Sequence, residues 1–104
     1  MTSARPRQAL QRSIQVHIEG RIITVLEGEL VAYFAASYKP DSEYPIHVHI
    51  TTDKEEAWDR LRTSLELEPG TYGHVLAYNL LKEKPTLIKC LGRIDSPEQE
   101  PVVP

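Results

Sequence analysis

Residues 44–79 read YPIHVHITTDKEEAWDRLRTSLELEPGTYGHVLAYN, and the change of period inside this stretch constrains the fold more than any other feature of the chain. In PIHVHITT, Ile46, Val48 and Ile50 alternate with His47, His49 and Thr51, the two-residue period of a strand with one buried face. The next run, TDKEEAWDRLRTSLEL, opens on a capping residue followed by acids, and Ala57, Trp58, Leu61 and Leu65 then recur at helical spacing. EPG ends that helix, and TYGHVLAYNLL returns to strand composition. One helix is thus inserted between strands of a chain that is otherwise β.

The flanking segments carry the same β signature. SIQVHI sets Ile14, Val16 and Ile18 against Gln15, His17 and Glu19, Gly20 bends the chain, and RIITVL continues as strand. Glu27-Gly28-Glu29 supplies turn chemistry before ELVAYFAASY, and KPDSEY is a polar loop. TLIKCLGRI follows KEKP, whose length and composition suit a hairpin loop. The order is strand, strand, strand, helix, strand, strand, with a long kinked first strand. That order predicts a mainly β chain with one helix, a five-stranded OB-fold barrel, a fold that commonly binds oligonucleotides or oligosaccharides. The OB-fold domain is expected over residues 13–94, with a flexible basic arm over 1–12 and a disordered acidic, proline-rich tail over 95–104.

Several of these pieces resemble the bacterial single-stranded DNA-binding protein family and its primosomal relatives. VHIEGRI is similar to that family's opening strand with its central glycine, ELVAYFAAS to its second strand, and LELEPGTYGHVLAYN to its helix exit and Gly-led fourth strand. The resemblance covers residues 14–94 and implies single-stranded DNA as partner. The family commonly has a tryptophan in its third strand, whereas Trp58 falls in the helix here, and the family's acidic tail with a hydrophobic tip is replaced by SPEQEPVVP. Neither feature is carried over.

With 104 residues, the chain is long enough for one domain and one modest core. No apolar stretch approaches the roughly 20 residues of a membrane helix. MTSARPRQALQRS is polar and basic without an apolar core, and the single Cys90 forms no intrachain disulfide, so a cytoplasmic location is expected. The net charge of -3 argues against wrapping duplex DNA, but charge is unevenly placed: RPRQALQR holds arginines and no acid, while DKEEAWD and DSPEQE are acidic.

Single strands are held by aromatic faces that stack on bases and by cations that follow the phosphates. Candidates for that role are Arg21, Tyr33, Tyr38, Lys39, Tyr78, Lys82, Lys84, Lys89 and Arg93, with His47 and His49 facing solvent or a ligand phosphate. Tyr33 and Phe34 must point to opposite faces, and Phe34 is the better core residue because it has no hydroxyl to satisfy, which leaves Tyr33 facing a ligand. Ile88, Cys90 and Ile94 are expected to share the inner face of the last strand, with Lys89 and Arg93 outside. His47 and His49 could ligate a metal only with His17 or His74, and no metal or cofactor is expected. No nucleophile elbow or phosphate-cradling glycine loop occurs, so the chain is not expected to be an enzyme.

The leading expectation is a binder of single-stranded nucleic acid, DNA before RNA. The alternative is a protein-interaction or assembly subunit that uses its barrel as an adaptor without nucleic acid. Homo-oligomerisation fits both, since the core is small.

Overall fold

The structure is a computed structural model that describes residues 12–82 and 84–104. The basic arm expected over residues 1–12 lies, except for Arg12, outside the described residues. The elements in chain order are β1 (Ser13–Ile18), β2 (Arg21–Leu26), β3 (Val31–Tyr38), β4 (His47–Thr51), α1 (Lys54–Leu67), β5 (Tyr72–Asn79) and β6 (Thr86–Ile94). The chain is mainly β with one helix, as its periodicity predicts. No helix among the described residues is long and apolar enough to cross a membrane.

The strands form two sheets rather than the expected five-stranded closed barrel. β1 and β2 pair only with each other, and the remaining strands form an antiparallel sheet in the order β4-β3-β5-β6. The strand count rises to six because the first strand does not merely kink at Gly20. Ile18 pairs directly with Arg21, and Glu19 (φ 51°) with Gly20 (φ 77°) forms a two-residue turn in which both residues are left-handed. That geometry matches the twist of a tight hairpin and reverses the chain. β4 and β6 are left as sheet edges, so no closed barrel forms among the described residues.

Both β4 and β5 run antiparallel to β3, which lies between them, so α1 links two parallel strands by crossing one face of the sheet. The helix starts where Asp53 accepts backbone N–H bonds from Glu55 and Glu56 at 3.0 and 3.2 Å, with the carboxylates of the first turn at the positive end of the helix dipole. Its apolar stripe, Ala57, Leu61 and Leu65, buries against Ala35, Val75 and Ile94. The helix lies close enough to β5 to demand a glycine there: a Cβ on Gly73 would overlap Leu61 Cδ1 and come within 2.6 Å of the Ala36 carbonyl oxygen.

The other sheet face holds a second cluster, Ala32, Phe34, Ala36 and Tyr78, closed by Ile18, Val16 and Ile23 of the hairpin. The domain therefore has three layers: helix, four-stranded sheet and hairpin. Residues 95–104, expected as a disordered tail, run back along β6. Arg93 and Val102 exchange both backbone hydrogen bonds at 3.0 and 2.9 Å, and Arg62 Nε donates to the Pro97 carbonyl at 3.2 Å. Gly92 makes room for this course, because a Cβ there would lie 2.8 Å from Pro101 Cβ and 3.5 Å from the Trp58 ring.

Candidate nucleic-acid interface

Cross-strand partners in an antiparallel sheet point to the same face, and alternate residues of one strand share a face. Tyr38 of β3 is paired with Tyr72 of β5, and His74, two residues on, is paired with Arg93 of β6. All four therefore lie on the face away from the helix, at the end of the sheet where β3 and β6 finish and β5 begins. The Tyr38 and Tyr72 rings stack with centroids 5.4 Å apart and planes 19° off parallel, and His74 tilts against Tyr38 at 5.1 Å. The Arg93 guanidinium lies 4.0 Å from the Tyr72 ring centroid. Cations in this position are attracted to the ring quadrupole.

Burial, followed by the neighbouring Tyr72 and Glu19, pushes the Tyr38 phenol above its ordinary pKa, with Arg21 opposing. Burial, then the Arg93 charge, lowers His74. At neutral pH the pair is an uncharged phenol and an uncharged imidazole sharing a hydrogen bond, Tyr38 Oη to His74 Nε2, at 3.2 Å. Positive charge at this end comes instead from Arg93, from Arg21, which is close enough to act on Tyr38, and from Lys39, which follows Tyr38 in the chain. Arg93 also bonds Asp95 at 2.9 Å, but both side chains are more than half exposed. Such a pair is worth about 0–1 kcal/mol and leaves the guanidinium free to exchange partners.

Of the residues singled out in the sequence, Arg21, Tyr38 and Arg93 come together here, and Lys39 follows Tyr38 in the chain. Tyr33 does point away from Phe34, but its face is the one α1 covers, and it packs half-buried against the cluster of Ala57, Leu61 and Leu65. Tyr78 is 5% exposed, stands edge-on to Phe34, and donates its hydroxyl hydrogen to the Glu19 carboxylate. Burial and that bond together raise its phenol pKa strongly. Lys82 and Lys84 are exposed in the loop after β5, at the far end of that strand from Tyr72.

One register shift separates Lys89 from Arg93. The expectation that Ile88, Cys90 and Ile94 share one face fails because the pairing with β6 slips between Val75 and Leu76 and again between Ala77 and Tyr78. Each slip inserts an unpaired residue and turns the side chains that follow to the other face. Lys89, opposite Ala77, ends on the helix side, whereas Cys90 and Arg93 lie on the Tyr72 side.

His47 and His49 lie on the helix side of edge strand β4, opposite Ser37 and Ala35, and His49 Nε2 meets Glu56 Oε2 at 2.6 Å. His74 is on the other face and His17 belongs to the hairpin, so these imidazoles do not converge. No group of three or more His, Cys, Asp or Glu side chains placed to hold a metal occurs among the described residues. Tyr72 and His74 were not among the sequence candidates for stacking, although TYGHVLAY places them two residues apart on the face of Leu76 and Tyr78. Comparisons of the chain with protein-family models, with curated proteins and with solved structures find no match.

Proposed function

We propose that the chain binds single-stranded nucleic acid, preferentially DNA, across the sheet face carrying Tyr38, Tyr72, His74 and Arg93. The observation that carries this reading is the Tyr38–Tyr72 stack with a partly exposed guanidinium on the Tyr72 ring. An exposed cation–π contact is worth about 0.5–1 kcal/mol, whereas a base stacked on an aromatic ring contributes about 1–3 kcal/mol. A base that displaces Arg93 from Tyr72 is therefore a favourable exchange. The freed guanidinium turns to a phosphate, and Arg21 and Lys39 neutralise its neighbours. No bond is made or broken, and every base offers a π-face, so sequence preference is weak.

Among the described residues, Arg21, Lys39 and Arg93 are the cations this reading uses. With about 0.7 counterions released per phosphate on a single strand, the slope of log K against log salt should be near -2, or about a hundredfold loss of affinity for a tenfold rise in salt. Anisotropy of a labelled deoxythymidine oligonucleotide over such a range tests this. Tyr72→Ala is expected to weaken binding about 5- to 150-fold, while Lys89→Ala on the opposite face leaves it nearly unchanged. Salt-independent affinity, or equal loss in both variants, would sink the reading.

A second reading is favoured by the outer edge of β6. Leu87 and Ile88 are 55% and 50% exposed there, on a strand that among the described residues is bridged only at Arg93. An open edge with apolar side chains is a template for pairing with another chain, which fits an assembly module or a homo-oligomer. Light scattering should then show an oligomer that Ile88→Lys dissociates, and a wild-type monomer would dispose of this reading.

A further inference from the structure

The helix side of the sheet holds a cleft that the nucleic-acid reading does not use. It lies between edge strand β4 and α1 and encloses about 230 Å³, less than the roughly 300–1,000 Å³ of pockets for drug-sized ligands. Its floor is Ser37, paired with His47 on one side and Gly73 on the other. The Ser37 side chain is 0% exposed, and its Oγ has no hydrogen-bond partner among the described residues. Buried hydroxyls are normally satisfied, so an orphan lining a cleft points to a ligand group that completes it.

The walls supply matching chemistry. Arg60 and Ser64, one helical turn apart, line the cleft from α1, and His47 lines it from β4. The guanidinium of Arg60 makes no ion pair or side-chain hydrogen bond among the described residues. His49 is held by Glu56, which leaves His47 as the imidazole with no such engagement there. A guanidinium, an imidazole and the unpartnered Ser37 hydroxyl around one small space suit the several oxygens of a phosphate better than the two of a carboxylate, while the Ser64 hydroxyl is held by the Arg60 carbonyl at 3.1 Å. Leu61 and Leu67 add an apolar wall.

We infer that this cleft is a binding site for a small organic phosphate, whose phosphate oxygens accept hydrogen bonds from Ser37, Arg60 and His47 while its apolar part lies along Leu61 and Leu67. The site is on the opposite sheet face from Tyr72, so it stands or falls independently of nucleic-acid binding.

Titration of the ¹⁵N-labelled chain with inorganic phosphate, followed by amide NMR, tests the inference, with acetate as a parallel probe at the same ionic strength. Phosphate should shift the amides of Ser37, His47, Arg60 and Ser64 along one saturating curve. Arg60→Gln, a change at an exposed position, should weaken that curve about tenfold or more, and Ser37→Ala should weaken it without unfolding the protein. Tyr72→Ala should leave it unchanged. Shifts scattered over the surface, an equal response to acetate, or a curve indifferent to Arg60→Gln would each overturn the assignment.

Discussion

Ser37 and His74 carry opposite kinds of tension. The buried Ser37 hydroxyl has lost water without gaining a protein partner, a state that costs about 1–3 kcal/mol. Ser37→Ala is accordingly expected to raise the unfolding free energy in phosphate-free buffer by about 1 kcal/mol, read by urea denaturation; a loss of stability would show that the hydroxyl is satisfied. His74 is held neutral by burial and by Arg93, against a weaker opposing effect of Glu19, with Tyr38 packed beside it. Its folded pKa lies below its unfolded one, so as pH falls the unfolded chain takes up this proton first. The associated stability is present above the ordinary imidazole value of about 6.5 and is lost as pH drops through the folded value. His74→Gln should flatten the decline in melting temperature on that acid side; a decline as steep as in the parent chain would contradict the assignment. Arg21, Tyr38, Lys39 and Arg93 were legible in the sequence as outward aromatic and basic residues. The misplacement of Tyr33 has a simple origin: alternation shows that Tyr33 and Phe34 oppose each other, but not that a helix covers the Tyr33 side.

At the scale of elements, the helix and every strand lie where the hydrophobic period puts them, because both periods follow from local backbone geometry. Two features escaped that reading. Glu19-Gly20 could have been a bend or a full reversal, and only the pairing of Ile18 with Arg21 decides for the hairpin. The slips in β6 depend on how β5 presents its partners, which a single-strand pattern does not contain. Close packing of α1 gives a sharp element-level prediction. Gly73→Ala places a methyl group against Leu61 and the Ala36 carbonyl, and overpacking of this kind costs about 1–3 kcal/mol. Chemical denaturation should show that loss, and a neutral Gly73→Ala would mean that the helix stands further from β5. Asp53→Ala removes the acceptor for two backbone N–H groups and should cost about 1 kcal/mol in the same assay.

The whole molecule separates its two candidate sites by one sheet: the cleft of Ser37 and Arg60 under the helix, and the aromatic row of Tyr38, Tyr72 and His74 with Arg93 on the other face. Sheet order was the least legible level, because the sequence gives strands without stating which pair, and long-range pairing decides between a closed barrel and an open sheet with a hairpin. The open sheet leaves the end carrying Tyr72 and Arg93 beyond the core cluster of Phe34, Ala36 and Tyr78. Photocrosslinking of a deoxythymidine oligonucleotide to the full chain, with mass mapping of the modified peptides, reads out directly which face meets the bases. Crosslinks concentrated on Tyr38, Tyr72 and His74, and lost on salt addition, are the predicted result. Crosslinks confined to Tyr33 or to the Lys82–Lys84 loop, or none at low salt, would contradict the account.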